Sequence, residues 1–242
     1  GALTLDGRVA KPGWTLRAGQ VLAFPEPPTE LVANRELAGQ LTLVHDDEDI
    51  LVVVKPARLA STPIDLSETQ SVANAVIALA ASTQNASPDP RDAGLVQRLD
   101  IGTHGLLVAG KHPTAYERLT ESLRAGFWDK RYLAYTTSHG RIPERLRDTL
   151  TAEGDKGRKM RVVPPRQAPA PRGGKTWEAE SDITWRGQGR YMQVLEVRAR
   201  KAVRHQVRVQ LASRGAPLLG DTLYDGPPLP EYPGFALVAH RV

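Results

Sequence analysis

The chain has 242 residues, of which 40% are hydrophobic and 24% charged, a balance that supports a buried core and excludes a disordered tail. Cysteine is absent, which rules out disulfides, thiolate nucleophiles and cysteine-ligated zinc, and no apolar run approaches the roughly 20 residues that span a bilayer. Lys and Arg outnumber Asp and Glu by 32 to 27, a net charge of +5 that suits an acidic partner without requiring one.

Residues 3–24 combine short apolar pieces with Asp6-Gly7, Pro12-Gly13 and Ala18-Gly19, the pattern of small strands joined by tight turns. Pro25-Glu26-Pro27-Pro28 then makes a stiff, extended linker, so a domain boundary is expected near residue 30. Beyond it, 41–44 and 50–54 are β-rich runs around an acidic turn and predict a hairpin. Residues 71–81 are alanine-rich and helical, and 84–92 carry the Asn, Ser, Pro and Asp of a loop. A second helix follows Pro113, with Tyr116, Leu119 and Leu123 at helical spacing and Gly126 as its stop.

Strand character returns over 130–137, 177–185 and 191–197, with the basic, proline-rich stretch 154–175 as a long loop between them. From 202 to 213 the period is helical again. Val203, Val207 and Leu211 form one face, and Arg204 and Arg208 project together from another. Strands in pairs with scattered helices predict an α+β fold, with a mixed, largely antiparallel central sheet of about eight strands and flanking helices. The basic residues fall in two clusters, a candidate phosphate-facing surface. One holds Lys156, Arg158, Lys159, Arg161, Arg166, Arg172 and Lys175; the other holds Arg198, Arg200, Lys201, Arg204, Arg208 and Arg214.

The densest chemistry lies in 96–111, where Arg98-Leu99-Asp100 precedes Gly102-Thr103-His104-Gly105 and an apolar run ending at Lys111. That order places a carboxylate at the mouth of a buried strand. Alone, an Arg-x-Asp step is most often a structural ion pair. Four further blocks accompany it: Lys55-Pro56, Lys130-Arg131-Tyr132, His205-Gln206-Val207-Arg208, and Gly220-Asp221-Thr222-Leu223-Tyr224-Asp225-Gly226.

Together, in this order and over residues 41–242, the five blocks resemble the pseudouridine synthases of the RluA type. The resemblance implies a pseudouridine synthase fold with an active-site cleft and a reaction on uridine in RNA. In it Asp100 is the catalytic carboxylate, acting as nucleophile at the sugar or as base on a sugar proton, and no metal or organic cofactor is needed. Arg98 and Arg208 become cationic partners that keep Asp100 ionised, and Arg98 also fills the gap left by a flipped nucleotide. Tyr132 stacks on uracil or passes a proton. Lys55 walls the site, His205 and Gln206 orient Arg208, and Arg204, Lys159 and Arg161 belong to the RNA-binding surface.

Residues 5–22 resemble the later half of the α-L RNA-binding module. The expected organisation is therefore a partial module and linker over 1–30 and a catalytic domain over 31–242 that is short at its C-terminus. The expected partner is RNA, ribosomal RNA of the large subunit ahead of tRNA, for a monomeric, cytoplasmic protein without a signal segment or membrane contact. Four departures from the family pattern mark where substrate contacts should differ: Gln97 for His, His104 for Ser, Arg58 for Gly, and Ala202-Val203-Arg204 for Gly-Arg-Thr. Two other readings compete. One is a catalytically silent RNA-binding or chaperone protein. The other is a glycoside hydrolase, which needs a second acid that only Asp221 or Asp225 could supply through the fold.

Overall fold

The computed structural model describes residues 3–24, 28–137, 141–153, 158–164, 175–199 and 202–242. Pro25 to Pro27 of the linker and the basic residues Lys156, Arg166, Arg172, Arg200 and Lys201 lie outside the described residues. At the N-terminus β1 (Thr4–Leu5), β2 (Arg8–Val9) and β3 (Leu22–Ala23) form a small antiparallel sheet in the order β2-β1-β3. Asp6 and Gly7 make its turn with positive φ, and the Asp6 carboxylate accepts hydrogen bonds from the Val21 N–H and from Gln20 Nε2.

After the short α1 (Arg35–Ala38), the expected hairpin is formed by β4 (Thr42–Asp46) and β5 (Ile50–Lys55). Next come α2 (Val72–Leu79), capped by Ser71, then β6 (His104–Gly110) and α3 (Pro113–Ala125), which Gly126 ends with φ 79°. The second half is β7 (Arg131–Thr137), β8 (Arg145–Glu153), β9 (Lys159–Val162), β10 (Thr176–Gln188), β11 (Met192–Arg198), α4 (Gln206–Ala212) and β12 (Leu237–Arg241). Among the described residues no helix is long and apolar enough to cross a membrane.

The main sheet has nine strands in the order β4-β5-β6-β12-β7-β11-β10-β8-β9. Only β12 and β6 run parallel, so the mixed, largely antiparallel character matches the expectation. Two expectations need correction. Part of the supposed loop over 154–175 is strand β9, held by its ladder with β8 and by the buried Met160 side chain. The last helix begins only at Gln206, because His205 takes a left-handed backbone conformation with φ 55°. Arg204 therefore stands ahead of α4, and Arg208 is buried within the fold instead of projecting beside it. Apolar periodicity located the helix but could not show that carboxylates elsewhere would draw Arg208 inward.

Two apolar clusters support the sheet. One joins β5, β6 and α2 through Leu51, Val53, Leu107, Val72 and Val76. The other joins β7, β11, β12 and α4 through Ala134, Leu195, Val197, Leu237, Val207 and Leu211. Leu99 packs against both clusters, which sets its neighbour Asp100 at the seam between them.

Candidate active site

A cleft of about 980 Å³ opens at that seam, lined by Ala60–Thr62, 96–103, Tyr132, 202–208 and Phe235 among others. Its floor is a clamped loop. The Ser61 hydroxyl donates to the Leu99 carbonyl and accepts from the Leu99 N–H, both at 3.0 Å. The Thr103 N–H donates to the Asp100 carbonyl at 3.0 Å and closes a turn, and the Ile101 carbonyl accepts from the Arg58 N–H and from Lys55 Nζ. Gly102 is required in this turn, since a Cβ there would stand 2.5 Å from the Phe235 ring. Each bond fixes backbone on one side or the other of Asp100, so the carboxylate is aimed by its loop.

Arg208 meets that carboxylate from α4. Its Nη1 donates to Asp100 Oδ2 at 2.9 Å, while Nε and Nη2 make a bidentate pair with Asp221 at 2.7 and 2.8 Å. The guanidinium also lies over Phe235, 4.2 Å from the ring centroid, and over Tyr224 at 5.0 Å. Asp221 is thus brought near through the fold, but it is buried and spent on Arg208, and Asp225 is exposed in its turn. Neither offers the second acid that glycoside hydrolysis demands. Among the described residues Asp100 Oδ1 accepts no hydrogen bond, and the side chain is 26% exposed, so this oxygen faces the cleft free.

His205 Nε2 lies 3.9 Å from Asp100 Oδ2, and Nδ1 is 2.9 Å from the Tyr224 hydroxyl. The same hydroxyl accepts from the Met160 N–H at 2.8 Å, so Tyr224 ties the imidazole edge of His205 to strand β9. Burial pushes the imidazole down to about 4 against the attraction of Asp100, so it is neutral at pH 7. Tyr132 is 9% exposed on β7, and burial, with the charge of Asp100 adding, pushes its phenol up to about 12. A phenol so held keeps its proton and can donate but not accept one near neutrality.

The remaining sequence-derived residues divide. Arg98 is exposed in the cleft lining, but its electrostatic partners are Asp89 and Asp92, and the structure joins it to neither Asp100 oxygen. Lys55 is fully buried beneath the loop, its ammonium donating to the carbonyls of Pro56 at 2.9 Å and Ile101 at 3.0 Å. It braces the loop from below and does not form a cleft wall; burial lowers it to about 8, opposed by Asp100. Gln206 is likewise committed, donating to the Glu180 carbonyl and the Ser181 hydroxyl and accepting from the Val203 N–H. It fastens the start of α4 to β10. Arg204 is exposed at the cleft and donates to the Arg158 carbonyl, Lys159 stands 5.3 Å from the centre of the Tyr224 ring, and Arg161 lies half-buried on β9. Sequence reasoning passed over Ser61 and Phe235, which carried no local signal.

With this geometry in place, a sequence model described as RNA pseudouridylate synthase matches residues 49–213. The chain belongs to the RNA pseudouridylate synthase family. It is 30% identical over 238 residues to Ribosomal large subunit pseudouridine synthase D of Xanthomonas campestris, covering 93% of this chain and 64% of that protein. The protein of the same name in Pseudomonas aeruginosa is 31% identical over 233 residues, covering 93% and 66%. The chain thus spans just under two thirds of the length of these relatives. Among solved structures, human RNA Pseudouridylate Synthase Domain Containing 4 aligns with a TM-score of 0.60 at 22% identity, over 85% of each chain. Human RNA Pseudouridylate Synthase Domain Containing 1 aligns with a TM-score of 0.59 at 20% identity, over 84% of this chain and 77% of that one. Both share the pseudouridine synthase fold.

Proposed function

We propose that this chain isomerises uridine to pseudouridine in structured RNA, with Asp100 as the catalytic carboxylate and large-subunit ribosomal RNA as the substrate class. The observation that carries the reading is the Asp100–Arg208 bond of 2.9 Å inside a cleft built by a family member's fold. Arg208 occupies Oδ2 and leaves Oδ1 to the substrate, an arrangement that serves attack at the sugar carbon and removal of a sugar proton equally. Breaking the bond between the sugar and N1 leaves negative charge on uracil, and Tyr132, still carrying its proton, can donate to it. The names of the two bacterial relatives favour the large subunit. Residues 1–30 are assigned as a partial RNA-contacting module ahead of a catalytic domain over 31–242, supported by the exposure of Arg8, Lys11, Trp14 and Arg17.

Release of tritium from large-subunit ribosomal RNA labelled at uridine C5 tests this directly. The parent chain should release tritium, and Asp100→Asn should lose the activity by at least three orders of magnitude, about 4 kcal/mol of barrier. Equal activity in Asp100→Asn defeats the assignment. Salt-sensitive RNA binding without release on any RNA would instead point to the silent RNA-binding reading.

A further inference from the structure

Lys130 is the residue just before β7, two positions from Tyr132, so strand alternation sends both side chains to the cleft face of the sheet. It lines the cleft and is only 8% exposed. Its neighbours Asp129 and Arg131 are spent elsewhere: Arg131 pairs with Asp129 at 2.9 Å and with Glu196 at 3.0 Å, and Asp129 also takes Arg198 and Arg241. No carboxylate and no hydrogen-bond acceptor among the described residues meets the Lys130 ammonium, and burial alone lowers its pKa. A largely buried side chain whose ammonium has no such partner and opens on the cleft is costly to keep charged, and an anionic ligand in the cleft would offset that cost.

The other cleft cations differ from it. Arg208 is matched by Asp221 and Asp100, while Arg98, Arg158 and Arg204 are exposed to water. Lys55 meets two backbone carbonyls, whereas Lys130 opens on the cleft with no protein acceptor among the described residues, and a phosphate oxygen, with its full negative charge, matches it better than a uracil carbonyl. No ion pair or hydrogen bond joins Lys130 to Asp100, whose partners among the described residues are Arg208 and His205, so the ammonium is not spent on the catalytic carboxylate.

We propose that Lys130 binds a backbone phosphate of the substrate RNA inside the cleft. The inference rests on RNA being the ligand of this site, as proposed above. Binding of an unmodified large-subunit ribosomal RNA transcript, measured across a salt series in an Asp100→Asn background, tests it. Adding Lys130→Met should weaken binding roughly ten-fold and reduce the steepness of the log–log salt dependence by about one. Lys130→Arg should restore that steepness. The Met variant should also melt at or above the temperature of its parent, because it removes an uncompensated buried charge. Unchanged affinity and salt dependence overturn the proposal, as does a lower melting temperature with no change in salt dependence, the signature of a purely structural ammonium. Tritium release by the chain with Asp100 intact separates the two readings: no release together with a Lys130-dependent salt slope defeats the isomerase and leaves the phosphate contact standing.

Discussion

Arg208 is held on three sides, by a bidentate carboxylate, by the face of Phe235 and by Asp100, and of its two carboxylate partners only Asp100 lines the cleft. Asp221 is 2% exposed, so removing its charge takes away two of the three hydrogen bonds of a buried guanidinium and leaves it only Asp100. Asp221→Ala should therefore cost about 3–5 kcal/mol in urea unfolding. It should also slow single-turnover isomerisation at saturating RNA, because Arg208 can then turn wholly onto Asp100. An unfolding free energy within about 1 kcal/mol of the parent would show that Asp221 does not tether Arg208. His205 carries a prediction in pH. Its folded value of about 4 lies below its ordinary 6.5, so between those values the unfolded chain binds more protons than the native one. Stability is then fully present above pH 6.5 and declines as pH falls toward 4. Melting temperatures of the parent and His205→Gln, compared at pH 7 and pH 4.5, should show the parent losing more. Parallel curves would contradict the neutral, buried imidazole.

At the level of elements, the active loop depends on the segment that follows β5. Ser61 satisfies both the N–H and the carbonyl of Leu99 and is 4% exposed. Ser61→Ala leaves both backbone groups without partners and should destabilise by about 1–3 kcal/mol. Turnover should fall while RNA affinity holds, since no phosphate contact is touched; unchanged turnover would mean the loop is positioned without Ser61. The sequence made such elements legible to unequal degrees. Helix α3 was readable because its start, period and stop all lie within its own residues, Pro113, Tyr116, Leu119, Leu123 and Gly126. Strand β9 was not, because beyond the preceding strand β8 Met160 is buried by Ala179, Val209 and Tyr224, which lie far along the chain. The loop around Asp100 was readable as a motif and not as a structure: Arg98 precedes the carboxylate by two residues yet faces Asp89 and Asp92, whereas Arg208, more than a hundred residues on, makes the bond. Arg58 stands between these cases. The expected glycine matches its φ of 65°, a left-handed conformation that a sequence alone shows only as an unusual substitution.

Across the whole molecule the site is assembled from two halves. Asp100 is fixed by Ser61, Lys55 and Arg58, on the side of β4, β5 and β6, whereas Tyr132 and Arg208 belong to the side of β7, β11 and α4. Strand β12 joins them, pairing with β6 through Val238 and Ala239 and with β7 along Leu237–Arg241. Among the described strands no other element pairs with both β6 and β7. The β6 contact is short and depends on Gly105, whose φ of 133° and close approach to the Ala239 carbonyl leave no room for a Cβ. Gly105→Val should therefore act at long range. It should cost more than about 4 kcal/mol in urea unfolding, the range reserved for disrupted backbone packing in a core. It should also separate the unfolding of the two halves, so that amide exchange in β5 ceases to track exchange in β11. Activity should collapse even under conditions where the variant remains folded, because the distance from Asp100 to Tyr132 and Arg208 is set across this seam. A Gly105→Val chain that unfolds in one transition, with parental stability and turnover, would show that the halves are coupled by something other than β12.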